Sequence, residues 1–101
     1  MSQDIVARRV IIRGQVQGVG FRAWTEQVAR GHGLAGWVRN RRDGSVEALF
    51  AGRAAVVLDM IAACRRGPPS ARVETIDEHD ATAQDLAARP PGETFTLMPT
   101  V

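Results

Sequence analysis

Val10-Ile11-Ile12-Arg13-Gly14-Gln15-Val16-Gln17-Gly18-Val19-Gly20-Phe21-Arg22 carries the chain from a strand, through a glycine-rich loop, into a helix. Val6 to Arg13, with its apolar run Val10-Ile11-Ile12, reads as a central strand. Phe21 to Arg30 reads as a helix, because Phe21, Trp24, Thr25, Val28 and Ala29 fall on one face. Between them, three glycines in seven residues let backbone amides turn towards one point, and successive turned amides can form a concave anion site. A helix start adds unpaired N–H groups and the positive end of a dipole, which favours phosphate. Arg22 sits in the first turn, where a cation is unfavourable unless an anion faces it. The alternative local reading is a plain connecting loop with Arg22 in solvent.

Outward from this stretch, Gly31 and Gly33 end the helix and Leu34 to Asn40 reads as a second strand. Arg41-Arg42-Asp43-Gly44 is a hairpin turn, and Ser45 to Ala51 a third strand. Arg53 to Arg66 reads as a second helix with Val56, Val57, Met60, Ile61 and Cys64 at core spacing, stopped by Gly67-Pro68-Pro69. Arg72 to Asp80 alternates as a half-exposed strand. Ala81 to Gly92 is polar, ends in Pro90-Pro91-Gly92, and has no assigned element. Thr94 to Met98 reads as a short final strand with Phe95 and Leu97 on one face. The order is strand-helix-strand-strand-helix-strand plus an appended strand. Two helices of this length cover one face of such a sheet, giving a two-layer α+β sandwich.

The chain has 101 residues, of which 45% are hydrophobic, enough for one core and one domain spanning 1–101. No segment approaches the roughly 18 uninterrupted apolar residues of a membrane span. The start, Met1-Ser2-Gln3-Asp4-Ile5, lacks the regions of a signal peptide, so the cytosol is the expected compartment. Cys64, the single cysteine, lies in an apolar stretch and reads as a small buried hydrophobe. His32 and His79 have no partner at metal-ligand spacing, so no metal site is expected. All thirteen basic residues are arginine, which excludes Schiff-base chemistry and a P-loop lysine. Position 23 is Ala, so the loop is not a Gly-x-Gly-x-x-Gly fingerprint either. Residues 1–53 hold nine Arg and four acids (+5), and 54–101 hold four Arg and seven acids (−3), summing to the net +2. The N-terminal half is therefore disposed to attract a small anion. The arginines form no long run, which disfavours nucleic acid.

A second constellation is Gly36-Trp37-Val38-Arg39-Asn40, followed by Asp43-Gly44. Asn40 lies at a hairpin end, where its amide offers two donors and an acceptor. On local grounds alone it reads first as a turn-forming asparagine. Trp24 and Trp37 read as core.

Gly14 to Arg22, then Gly36-Trp37-Val38-Arg39-Asn40 and Asp43-Gly44-Ser45-Val46-Glu47, resemble both signature segments of the acylphosphatase family. The resemblance runs through Gly67-Pro68-Pro69-Ser70-Ala71-Arg72-Val73-Glu74 and covers roughly residues 8 to 76. It implies a ferredoxin-like fold: βαββαβ, an antiparallel sheet with two helices on one face, here with a short extra C-terminal strand. It implies hydrolysis of the carboxyl-phosphate bond of small acyl phosphates, releasing inorganic phosphate, without metal or cofactor. By resemblance Arg22 binds the phosphate with backbone amides of Gln17, Gly18, Val19, Gly20, Phe21 and Arg22, and Asn40 holds the attacking water. The basic pair Arg41-Arg42 departs from the usual pattern and bears on substrate charge preference. The competing reading is a non-catalytic module that binds a small phosphate-containing anion. A monomer without nucleic-acid or membrane partners is expected.

Overall fold

The computed structural model describes residues 4–89 and 92–101. Pro90 and Pro91, read above as closing the polar segment, and Met1-Ser2-Gln3, part of the start read for a leader, lie outside the described residues. The elements are β1 (Ile5–Gln15), α1 (Phe21–Gly31), β2 (Ala35–Asn40), β3 (Val46–Arg53), α2 (Ala54–Arg66), β4 (Arg72–Asp80), α3 (Ala83–Leu86) and β5 (Phe95–Leu97). They build one five-stranded sheet in the order β4-β1-β3-β2-β5. Among the described residues, no helix is long and apolar enough to cross a membrane.

Strand alternation decides the two faces. On β1, Val10 and Ile12 turn towards the helices, and on β3 Val46, Ala48 and Phe50 do the same. α1 lays Phe21 and Ala29 onto that face and also buries Thr25 there, whose hydroxyl donates to the Phe21 carbonyl at 2.8 Å. α2 contributes Val57, Met60, Ile61 and Cys64. Burial pushes the Cys64 thiol up to about 12, so it behaves as the expected small hydrophobe. Phe50 and Phe95 stack with ring centroids 5.9 Å apart. Trp24 packs against this core, whereas Trp37 is buried on the opposite face with Leu49 and Ala51.

The expected antiparallel frame with two helices on one face is present, and two features depart from it. The appended strand β5 pairs parallel to β2, so the sheet is mixed. The unassigned polar segment contains α3, which starts in a capping box: Thr82 accepts from the Asp85 amide, and the Asp85 side chain accepts from the Thr82 amide. α3 lies over the opposite face, where the Trp37 indole N–H donates to the Asp85 carbonyl at 2.9 Å. A buried indole donor needs an acceptor, and this segment provides it.

Topology fixes which ends of the strands meet. β1 and β2 both run antiparallel to β3, so they are parallel to each other with β3 between them. The chain crosses from one to the other through α1, as a split βαβ unit. The C-terminal ends of β1 and β2 therefore share one rim of the sheet. β5, parallel to β2, ends on the same rim.

Candidate active site

At that rim Ile12 of β1 and Asn40 of β2 both stand opposite Val46 of β3. The loop after β1 thus lies beside the turn after β2, although the residues concerned are far apart in sequence. Gly18 and Gly20 hold φ of 74° and 80°, a left-handed backbone open to glycine at little cost. Gly20 is the N-cap of α1, and the first intrahelical bond runs from Trp24 N to Gly20 O at 3.0 Å. The N–H groups of Phe21, Arg22 and Ala23 precede that bond and are the orphan donors of a helix start. No acidic residue occupies the first turn. Arg22, in that turn, forms no salt bridge among the described residues.

Asn40 is positioned by the β2–β3 hairpin. Arg41 N donates to Ser45 O at 2.9 Å and Gly44 N to Arg41 O at 3.1 Å. The Asp43 carboxylate accepts from the Ser45 amide at 2.9 Å and from the Ser45 hydroxyl. These two bonds hold its pKa down at about 2. The turn predicted over Arg41 to Gly44 is therefore closed by the Asp-Gly pair that signalled it.

The two halves are joined by a side chain. Gln17 Nε2 donates to Arg41 O at 2.7 Å and to Ser45 O at 2.8 Å. One amide of the glycine loop thus bridges both ends of the hairpin turn. Sequence reading placed Gln17 in the loop for its backbone, and nothing local in the sequence pointed to this bridge.

A cavity of about 180 Å³ opens between the halves, lined by Val16, Gly18, Gly20, Phe21, Arg22, Ala23, Asn40 and Leu97. The structure brings Arg22 and Asn40 to one cavity. Of the other proposed loop residues, Gly18, Gly20 and Phe21 line it. Gln17 and Val19 support it instead, the first through its bridge and the second by packing on the core. Leu97 was missed as a site residue. Its alternation with Phe95 was legible, but not the strand against which β5 pairs. Arg39, next to Asn40, faces away: its side chain donates to the buried Glu47 at 2.7 Å and lies 4.6 Å over the Trp37 ring. Strand alternation separates this cation from the cavity that Asn40 lines.

The chemistry available at this rim is anion binding by amides and one guanidinium, with a neutral amide close by. The fold is a ferredoxin-like α+β sandwich whose split βαβ unit ends at that anion-suited rim, which defines the class. The chain belongs to the acylphosphatase family: the family model described as Acylphosphatase matches residues 8–89. A curated acylphosphatase of Bradyrhizobium diazoefficiens is 59% identical over 101 residues, all of both chains. The crystal structure of acylphosphatase from Bacillus subtilis superposes with a TM-score of 0.79 at 33% identity, covering 92% of this chain and 98% of that one. The structure of an acylphosphatase from Coxiella burnetii gives 0.81 at 26% identity, covering 97% and 100%.

Proposed function

We propose that this protein is an acylphosphatase that hydrolyses the carboxyl-phosphate bond of small acyl phosphates by in-line attack of water, and that Arg22 and Asn40 are its catalytic residues. The observation that carries the assignment of roles is the convergence of Arg22, the α1 start and Asn40 on one cavity. An acyl phosphate is already activated, because carboxylate is a good leaving group. Two tasks remain: charge on the equatorial oxygens must be stabilised, and a water must be placed opposite the leaving oxygen. The amides of Gly18 to Arg22 and the Arg22 guanidinium perform the first task. Asn40 performs the second by fixing the water's orientation. Its amide is not a base, so a phosphate oxygen of the substrate takes the water's proton. Neither task draws on a metal or an organic cofactor. We further propose that it works as a monomer in the cytosol, since one chain contributes every group named here.

The test is hydrolysis of acetyl phosphate by the purified protein with chelator present. Asn40→Ala should lower kcat at least about 100-fold while inorganic phosphate still competes. Arg22→Ala should weaken that competition as well as turnover. Unchanged turnover in Asn40→Ala would remove Asn40 from the mechanism. Phosphate binding without hydrolysis in the unmodified protein would favour the non-catalytic module instead.

A further inference from the structure

The cavity lining divides chemically. Gly18, Gly20, Arg22 and Asn40 bring amides and one cation, whereas the side chains of Val16, Ala23 and Leu97 are hydrocarbon. An acyl phosphate has the same division, a phosphoryl group and an organic acyl group. Leu97 is the one lining residue that comes from neither the loop and helix start around Gly14 to Ala23 nor the strand that ends at Asn40. It is also 42% exposed, although Phe95, two residues earlier on the same face, is fully buried.

Register explains the difference. Phe95 stands opposite Gly36 and Leu97 opposite Val38, so Leu97 shares the helix-side face with Val38 and Asn40. Being parallel to β2, β5 passes from the core at Phe95 out to the rim at Leu97. The strand is fixed on both sides of this residue. Gly36 N donates to Thr94 O at 2.9 Å and Met98 N to Val38 O at 2.8 Å. Arg30 Nη2 donates to Phe95 O at 2.6 Å, tying β5 to α1. A large apolar side chain is thereby held at the mouth of a charged cavity, where it is not needed to complete the core.

We infer that Leu97 is a specificity-determining residue that contacts the acyl group of the substrate and favours bulky apolar acyl phosphates over the smallest ones. This rests on the hydrolytic reading given above. A benzoyl ring would cover Leu97 and be desolvated by it. An acetyl methyl group is too short to gain as much from the same wall. Leu97 acts through binding of the acyl group alone and leaves the phosphoryl contacts untouched.

The experiment compares kcat/KM for benzoyl phosphate and acetyl phosphate in the full chain, for the unmodified protein, Leu97→Ala, Leu97→Gln and Leu97→Met. Leu97→Ala should lower the benzoyl value about tenfold and leave the acetyl value within about twofold. Competition by inorganic phosphate should not change. Leu97→Gln, of similar length but polar, should behave as Leu97→Ala, and Leu97→Met should retain the benzoyl preference. An equal loss on both substrates would overturn the inference in favour of a structural role, and an unchanged benzoyl value would overturn it outright. Failure of the unmodified protein on both substrates would instead strike the hydrolytic reading.

Discussion

At the scale of single residues, Gln17 is the most consequential side chain outside the cavity. Its amide bonds to Arg41 O and Ser45 O hold the glycine loop against the Asn40 turn. Both carbonyls also accept backbone bonds within the turn, so losing Gln17 leaves neither orphaned. Gln17→Ala should therefore cost only about 1 kcal/mol of stability. It should lower kcat by about tenfold, because small misplacements of a positioned water are expensive. Steady-state kinetics beside a urea melt would check that split, and comparable losses of rate and stability would speak against it. Asp43 gives a second expectation. Its carboxylate is held near about 2 by the Ser45 bonds, below the usual value of about 3.9. A depressed carboxylate stabilises the fold above its unfolded pKa, and that contribution is lost as pH falls through the folded value. The stability difference between the protein and Asp43→Asn should thus be constant above about pH 5 and shrink as pH falls towards about 2. Denaturation curves across that range would show it.

At the scale of elements, β2 carries Asn40 and Gly36 together, and Gly36 has a structural reason to be glycine. Its φ is 142°, and a Cβ there would stand 1.8 Å from the Leu49 carbonyl oxygen of the neighbouring strand. Backbone cannot yield as a flexible side chain does. Gly36→Ala should cost at least about 2 kcal/mol and disturb the β2–β3 register that places Asn40. A lowered denaturation midpoint would bear this out. The hydrophobic pattern made β1, α1, β2, β3, α2 and β4 legible, because each has enough residues to show its own period. α3 was not legible: with four residues it has no period to read, and only Thr82 and Asp85 mark its start. β5 was legible as a strand but not as a parallel partner of β2. Alternation reports which side chains share a face and says nothing of the neighbour.

At the scale of the whole molecule, folding rearranges the charge. The basic N-terminal half and acidic C-terminal half meet where β1 pairs with β4. There Arg8 bonds Glu78 and Asp80, and Arg13 bonds Asp77 at 3.2 Å. Much of the excess visible along the sequence is neutralised across this pair. Arg22, Arg41 and Arg42 form no salt bridge among the described residues, and all three belong to the segments around the rim. Capture of a small anion should therefore depend on ionic strength. Raising salt from about 0.02 to about 0.5 M should raise KM for acetyl phosphate several-fold and leave kcat within about twofold. Chloride and sulfate should be compared, since sulfate would also compete at the proposed phosphoryl site.

The sequence by itself determined the local pieces of the site. Gly18 and Gly20 let the loop turn, the pattern from Phe21 onwards begins a helix there, and Asp43-Gly44 makes the turn that follows Asn40. Each of these depends on dihedral preferences and spacing within a few residues. Tertiary structure decided that the pieces meet. β3 lies between β1 and β2 and sets both in register, Gln17 bridges loop and turn, and the parallel direction of β5 brings Leu97 to the same rim. Strand order and direction depend on which edges bury the most surface across the whole chain, and no local pattern records that choice.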